Sequence, residues 1–435
     1  MYKKVKFGIF LELQLPKPWG PDDELRLVDE ALQQVELADR LGLQHAWAVE
    51  HHFLEEYSHC SASDVFLAAA AARTARIRIG FGIRQAIAKY NHPSRTAEAA
   101  AMLDLVSKGR VELGFGEGAT RLELAGFGIP AKKKRAWSLE AVEQIANMMV
   151  MEPYPGFEGE SFSMPCRNVV PKPIQKPHPP LWMACTSRET IRVAARNGIG
   201  ALAFSFINQE EALAWSNVYY DTIKSEGCVP IGHAVNANIA MVSAFSLHRD
   251  PLEAKRRIQE NFDFFGYSLS ALVTRDTVPG RTNMWRDFQT LRSTPPDRLP
   301  KDAVKVAPAD GKASPGIGTP DALRDHIRML EQSGIDQMIF MQQAGRARHE
   351  HICESLELFA SEVLDEFQSR VAQREARKAE ELAPYIDAAL KRKQRMLPLA
   401  DDEIPVVRAS VPTVEAAQRV MPGEQEQRLA TLKQS

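Results

Sequence analysis

The side chains best suited to chemistry cluster in one short stretch, residues 45–57, with the sequence HAWAVEHHFLEEY. The apolar run 46–49 is short enough for a buried strand, and it stops at Glu50, His51 and His52. An imidazole titrates near neutral pH, so a histidine at the end of a strand is suited to general acid or base catalysis. The same residues are also compatible with an ordinary loop or with metal ligation.

A second stretch, residues 180–190, has the sequence PLWMACTSRET, in which an apolar strand runs directly into a helix. Thr186, Ser187 and Thr190 place hydroxyl groups in the first turn of that helix. A helix N-terminus has free N–H groups and favours an anion. An ordinary Ser or Thr cap accounts for one of these hydroxyls. Cys185 ends the strand and therefore also has a position of interest.

A third stretch is glycine-rich, with the sequence GFGEG at residues 114–118. Its alternate glycines, with Gly116 at the centre, leave backbone N–H groups uncovered, which suits contact with a flat ring edge or a phosphate. A tight turn between a strand and a helix would need the same glycines.

These stretches must be positioned by a repeating pattern of strands and helices. Strands are predicted at residues 4–10, 44–49, 77–83, 111–115, 180–185, 199–206, 235–245 and 336–341, with helical patterns between them. Eight such units predict an α/β fold, a (β/α)8 barrel, whose catalytic face is formed by the C-terminal ends of the strands. At 435 residues the chain exceeds the roughly 250 typical of such barrels, so insertions and a C-terminal helical extension are expected.

The motifs together resemble the bacterial luciferase-like flavin monooxygenase family. The resemblance rests on the segment Glu50–Phe53 and on residues 91–93, 103–110 and 114–118, and it covers roughly residues 4–265 and 316–367. It implies a TIM barrel that binds reduced flavin mononucleotide (FMN) and oxidises a small organic substrate with dioxygen through a flavin hydroperoxide.

The resemblance also implies roles for individual residues. The catalytic histidine of the family aligns with His51, with Glu50 as a candidate to hold its other nitrogen and His52 as an orienting or packing residue. The phosphate site falls on Thr186, Ser187 and Thr190. The flavin ring would lie near Gly82, whose bond to Ile83 aligns with a non-proline cis peptide, and near Gly116, Glu117, Cys185 and Phe204. In luciferase itself, a cysteine and an arginine align with Gly116 and Glu117 of this sequence, so the chain departs from the family there.

The chain has no GxGxxG fingerprint after a strand, so the electrons are expected to come from a separate NAD(P)H:flavin reductase. Relatives are usually homodimers through the early barrel helices. Three alternatives remain open: a deazaflavin-dependent oxidoreductase of the same fold, a non-catalytic flavin-binding protein, and a metal hydrolase. For a metal site, no third ligand is obvious.

Composition narrows the class of protein. The 54 basic and 56 acidic residues nearly cancel, which argues against a nucleic-acid binder. The five cysteines show no CxxC spacing, so neither a disulfide framework nor a zinc site is expected. No apolar run approaches ~20 residues, so a cytoplasmic protein without a membrane span is expected.

Domain boundaries follow from breaks in periodicity. Residues 1–367 are predicted to form the barrel, with residues 268–315 as an irregular mobile lid or disordered insertion. The proline-rich segment 152–180 is predicted to be a surface excursion with a short hairpin. Residues 368–435 are predicted to be a charged helical tail, partly disordered, that is solvated or serves as an oligomer arm.

Overall fold

A computed structural model describes residues 5–204, 207–295, 316–369 and 371–407. The strands are β1 (Lys6–Leu11), β2 (His45–Ala48), β3 (Arg78–Gln85), β4 (Val111–Gly116), β5 (Tyr154–Glu158), β6 (Ser163–Arg167), β7 (Leu181–Cys185), β8 (Gly200–Ala203), β9 (Ile239–Ala244), β10 (Ser246–Leu247), β11 (Ile317–Gly318) and β12 (Gln337–Met341). Strands β1, β2, β3, β4, β7, β8, β9 and β12 form a closed parallel barrel in which β12 pairs with β1. The predicted (β/α)8 barrel is therefore confirmed.

The helices cover the outside of the barrel and its two ends. They are α1 (Asp23–Leu41), α2 (Ser63–Arg73), α3 (Pro93–Val106), α4 (Arg121–Gly126), α5 (Lys134–Val150), α6 (Arg188–Arg196), α7 (Gln209–Ile223), α8 (Pro251–Thr274), α9 (Met284–Ser293), α10 (Pro320–Gln332), α11 (His349–Phe359), α12 (Asp365–Gln368) and α13 (Val371–Arg392). None of the helices in the described ranges is long and apolar enough to cross a lipid bilayer.

Two barrel strands are shorter than the sequence predicts. The strand expected at residues 235–245 begins at Ile239, because Asn236 uses its backbone and side-chain N–H groups to bond the carbonyls of Gly198 and Leu181 at the edge of the barrel. The strand expected at residues 199–206 ends at Ala203, and residues 205–206 lie outside the described ranges.

Large aromatic side chains fill the inside of the barrel. Trp47 and Trp182 are almost fully buried and meet edge to face, with 5.4 Å between ring centroids. Gly80 on β3 makes room for Trp47, since a Cβ atom there would lie 2.3 Å from its Cε3 atom. The interior is therefore packed solid below the catalytic face, as is usual for this fold.

The insertion after α5 contains the predicted hairpin, formed by the antiparallel strands β5 and β6. The prediction that residues 268–315 are irregular is wrong in part. Helix α8 continues to Thr274, and α9 follows as a regular helix. Glu56 anchors α9, since its carboxylate accepts hydrogen bonds from the backbone N–H groups of Met284 and Trp285. Residues 296–315 lie outside the described ranges.

The predicted solvated tail is instead anchored to the barrel as far as it is described. Helix α13 buries Arg374 and Lys378, which contact the Asp336 carboxylate just before β12 at 2.7 and 2.9 Å. A helical pattern with many charges predicts an exposed face, but here two of the charged side chains are buried and share one buried carboxylate. Residues 408–435 of the tail lie outside the described ranges.

Candidate active site

The C-terminal ends of the barrel strands enclose a cavity of about 270 Å³. Seven residues expected at the site from the sequence line it: His51, Gly82, Gly116, Glu117, Thr186, Thr190 and Phe204. Four other expected residues are not among the lining residues: Glu50, His52, Cys185 and Ser187. The cavity has an acidic and histidine-containing end, an apolar middle and a basic end.

His51 lies between two carboxylates at the first end. Its Nδ1 is 3.0 Å from Glu123 Oε1, and its Nε2 is 3.6 Å from Glu12 Oε1. Burial alone would lower the pKa of His51, but the hydrogen bond to Glu123 and the charges of both glutamates outweigh it and raise the pKa. This arrangement favours the imidazolium form and directs Nε2 toward Glu12.

Glu123 is itself held in place by its local structure. It is completely buried, and it accepts hydrogen bonds from the backbone N–H of His52 at 3.2 Å and from the Thr120 hydroxyl at 2.8 Å. Burial alone would raise its pKa, but the hydrogen bond from His51 and the charge of that ring lower it. Glu123 therefore remains a carboxylate that orients the His51 ring.

Glu50 does not hold the other nitrogen of His51, so that expectation is wrong. Its Oε1 accepts from Asn91 Nδ2 at 2.7 Å and lies 3.1 Å from His52 Nε2, while Oε2 lies 3.6 Å from Arg84. The carboxylate points away from His51 because consecutive residues after a strand point in different directions. Glu123, which is distant in sequence, takes the expected role.

His52 packs outside the cavity. Its ring stacks on Tyr90 with 5.9 Å between centroids and meets Phe127 edge to face at 5.0 Å. These contacts agree with the expected packing role and place the ring in an aromatic cluster beside the mouth of the barrel.

Glu12 directly follows β1, at the C-terminal end of that strand. It is 1% exposed, lines the cavity, and has an Oε1 atom without a hydrogen-bond partner. Burial raises its pKa to about 7, with His51 lowering it and Glu123 raising it. The carboxyl group is therefore poised to change protonation near neutral pH.

The middle of the cavity is narrow and apolar. The Gly82–Ile83 peptide is cis, as the resemblance implied, and the Ile83 side chain faces Gly116. A Cβ atom at Gly116 would lie 2.3 Å from Ile83 Cδ1, so glycine is required there for the two strands to pack. Phe204 contacts Phe10 with 5.6 Å between ring centroids and forms an aromatic wall.

The N-terminus of α6 forms part of the basic end. The Thr190 hydroxyl accepts from the backbone N–H groups of Thr186 and Ser187, both at 3.0 Å, and Ser187 completes a capping box. Arg188 is paired with Glu211 outside the cavity. The turn thus satisfies itself locally as an ordinary cap, while Thr186 and Thr190 still line the cavity.

Cys185 does not face the cavity. It is fully buried, and its Sγ donates to the Met183 carbonyl at 3.3 Å. Burial raises its pKa to about 12, so the thiol stays protonated. We interpret Cys185 as a core residue beneath the α6 turn rather than as a ligand.

Two basic residues that were missed in the sequence supply the positive charge at this end. Arg135 forms a two-pronged ion pair with Glu117 at 3.1 Å for both contacts, and Lys134 lies 3.5 Å from the same carboxylate. Both line the cavity beside Thr186. The signal that could have found them is the basic run at residues 132–135, whose last two residues begin α5.

These features fit a flat, amphipathic cofactor with an anionic tail. The apolar middle suits a ring system, and the α6 N-terminus with Lys134 and Arg135 suits a phosphate. No group of three or more potential metal ligands occurs among the described residues. The fold and the site together define a parallel barrel with one cavity at its C-terminal face that is lined by a histidine, apolar side chains and two basic residues.

A model of the luciferase-like monooxygenase family matches residues 5–337, so the chain belongs to that family. The oxygenase component of a flavin-dependent trigonelline monooxygenase from Acinetobacter baylyi is 29% identical over 203 residues, which are 45% of this chain and 52% of that protein. The chain thus matches about half the length of this relative.

Solved structures agree on the fold. The monooxygenase RslO1 from Streptomyces bottropensis has a TM-score of 0.66 and 27% identity, covering 83% of this chain and 100% of that one. An F420-dependent secondary alcohol dehydrogenase has a TM-score of 0.58 at 16% identity over 83% of this chain and 98% of its own, which reflects the shared barrel alone.

Proposed function

We propose that the protein is the oxygenase of a two-component system, which uses reduced FMN from a separate NAD(P)H:flavin reductase and dioxygen to oxidise a small organic substrate. The observation that carries the proposal is one cavity with His51 at its acidic and histidine-containing end and Lys134 and Arg135 at its basic end. Reduced FMN bound there would supply the electrons that activate dioxygen.

The residues at the basic end of the cavity would bind the cofactor phosphate. The side chains of Lys134 and Arg135 would hold the phosphate beside Thr186 and Thr190, and the dipole of α6 would favour its negative charge. Glu117 would then have to leave Arg135 or share it with the phosphate, since it now occupies both prongs of the guanidinium.

The residues at the acidic and histidine-containing end of the cavity would transfer a proton. With Nδ1 held by Glu123, His51 offers its Nε2 atom toward Glu12 and the cavity, where it can give or take a proton from a bound molecule. The aromatic wall of Phe10 and Phe204 would limit access of water to this point.

We also propose a homodimer formed through α2 and α3. These neighbouring helices expose large apolar side chains to solvent: Val65, Met102, Leu105 and Val106. Large apolar side chains exposed on neighbouring helices are a common feature of protein interfaces.

The test is anaerobic titration of the protein with reduced FMN, followed by mixing with oxygenated buffer in a stopped-flow spectrophotometer. We expect binding, and then a distinct spectral phase before oxidised flavin appears. Binding followed by oxidation at the rate of free flavin would favour a flavin-binding protein without oxygenase activity. Failure to bind FMN, with binding of a deazaflavin instead, would favour the hydride-transferring alternative.

A further inference from the structure

The cavity at the catalytic face meets solvent at two places. Three of the described residues that line it are exposed, namely Ala119, Thr186 and Leu269. Ala119 follows Glu117 by two residues and Thr186 lies just before α6, so both belong to the basic end, where the cofactor phosphate would bind. Leu269 lies on α8, a different element, and marks the second opening.

The opening at Leu269 belongs to the end of the cavity that contains His51. Phe265, one turn earlier on α8, is buried, and its ring centroid lies 5.5 Å from that of Tyr57 and 6.0 Å from that of Phe204. The Tyr57 ring in turn lies 5.5 Å from the His51 ring. Residues four apart lie on the same face of a helix, so Leu269 is at the solvent edge of the face that α8 turns toward His51.

A glycine lies beside Leu269 on the helix surface. Gly266 is exposed and three residues before Leu269, and a Cβ atom added to it would have no described atom within 4 Å. Glycine inside a helix is destabilising relative to alanine, and close packing does not require it here. The missing side chain leaves space beside Leu269, which is what an entrance at this point needs.

The backbone of α8 is held firmly just before Leu269. Ser268 is fully buried, and its Oγ accepts a hydrogen bond from Gln14 Nε2 at 3.1 Å. Phe264 and Tyr267 both contact Phe288 of α9, each with 5.5 Å between ring centroids. The width of the opening is therefore set by the side chains at its rim rather than by movement of the helix.

We propose that Gly266 and Leu269 form the entrance for the substrate, and that the size of these two residues limits the apolar group that can reach His51. Leu269 and the wall formed by Phe10 and Phe204 are apolar, whereas Lys134 and Arg135 lie at the basic end of the cavity. The entrance therefore suits a neutral alkyl or aryl group. This inference rests on the proposed function, in which FMN occupies the basic end, and it names the substrate class.

The experiment follows the entry of N-phenylnaphthylamine, a neutral apolar molecule that fluoresces strongly only in an apolar environment. The full-length protein is mixed with this probe in a stopped-flow fluorimeter, and the association rate constant is measured. We expect Leu269→Trp and Gly266→Trp each to lower the rate constant by roughly tenfold, because a larger side chain fills the entrance. Leu269→Ala should raise the rate constant, because it widens the entrance.

Val273→Trp is the matched control. Val273 is 65% exposed, lies one turn beyond Leu269 on α8, and is not among the described residues that line the cavity. This variant should bind the probe at the wild-type rate. All three substituted positions are exposed, so we expect every variant to fold, as judged by circular dichroism. A wild type that does not bind the probe, unchanged rates in Leu269→Trp and Gly266→Trp, or an equal loss in Val273→Trp would each overturn the proposal.

A parallel titration with reduced FMN separates this result from that of the proposed function. The variants at the entrance should bind FMN as the wild type does, because the phosphate site lies at the other end of the cavity. A wild type that does not bind FMN contradicts the proposed function, while the rates of probe entry still test the entrance. Normal FMN binding with unchanged rates of probe entry contradicts the entrance alone.

Discussion

The two adjacent histidines differ in what their rings contact, and this difference can be tested directly. His51 lines the cavity between Glu12 and Glu123, whereas His52 packs on aromatic rings outside it. We expect His51→Ala to lower product formed per reduced flavin by roughly 100-fold, because it removes the acid–base group. Product yield in single-turnover reactions measures the effect, once a substrate has been identified.

A matched control is His52→Phe, which keeps the aromatic packing against Tyr90 and Phe127. This variant should retain most of the product yield. Equal losses in the two variants would contradict the assignment of proton transfer to His51.

The buried Glu12 should also leave a signature in stability. Its pKa is raised from 4.5 to about 7 in the folded state, so the folded protein loses stability as pH rises through this interval and does not regain it above. Glu12→Gln lacks this loss. Relative to the wild type, its free energy of unfolding should therefore rise by on the order of 3 kcal/mol between about pH 4 and pH 8. Urea denaturation at several pH values measures it, and a constant difference would speak against a raised pKa.

The Glu117 carboxylate forms ion pairs with Arg135 and Lys134, the basic residues that would bind the cofactor phosphate. Glu117→Gln should free Arg135 and Lys134, and thus tighten FMN binding by up to about tenfold. Riboflavin, which has no phosphate, serves as the matched ligand and should bind both proteins alike. If Glu117→Gln raises the affinity for FMN and riboflavin to the same extent, or raises neither affinity, Glu117 does not compete with the phosphate.

The sequence predicted single residues better than it predicted their partners. His51 could be recognised because a buried strand ends beside it, which is a local pattern. Its pairing with Glu123 joins residues 72 positions apart, so only the folded barrel reveals it. For the same reason Glu50, the nearest carboxylate in sequence, was assigned a contact with His51 that it does not make.

At the scale of elements, α13 is a structural part of the barrel. Burial alone would raise the pKa of Asp336, but Lys378 and Arg374 outweigh it and hold that pKa below its usual value. Removing Asp336 would leave both buried cations without a counter-charge. We expect Asp336→Ala to lower the free energy of unfolding by about 3 to 5 kcal/mol. The exposed Lys391→Ala is the control for denaturation experiments, and similar values for both would contradict the buried pair.

Helices and strands were predicted correctly where the hydrophobic pattern along the sequence was regular. They were missed where contacts between residues distant in sequence determine whether the element forms. The eight strands follow from short apolar runs, and their closure into a barrel follows from their number and order. Helix α9 was missed, because its stability depends on Glu56 and on packing of Phe288 against Phe264, with 5.5 Å between centroids. Neither contact is visible as local periodicity.

At the scale of the whole molecule, the exposed apolar face of α2 and α3 predicts the oligomeric state. We expect the wild type to sediment as a dimer and the double variant Val65→Glu/Met102→Glu to sediment as a monomer, because both side chains are more than half exposed and would place charges in the interface. Sedimentation equilibrium measures the mass. Val278→Glu, an exposed apolar residue outside this face, should remain dimeric, and an unaffected dimer in the double variant would place the interface elsewhere.

The attachment of α13 to Asp336 has a consequence for the order in which the chain is made. Domains generally fold as they leave the ribosome, beginning from the N-terminus. Asp336 precedes β12, the strand that pairs with both β1 and β9, but the cations that neutralise it come 38 and 42 residues later. A nascent chain that ends near residue 367 would thus carry a buried Asp336 with hydrogen bonds from Tyr220 and Ile239 but without its two cations. We expect the final strand to reach its full stability during synthesis only after α13 has emerged.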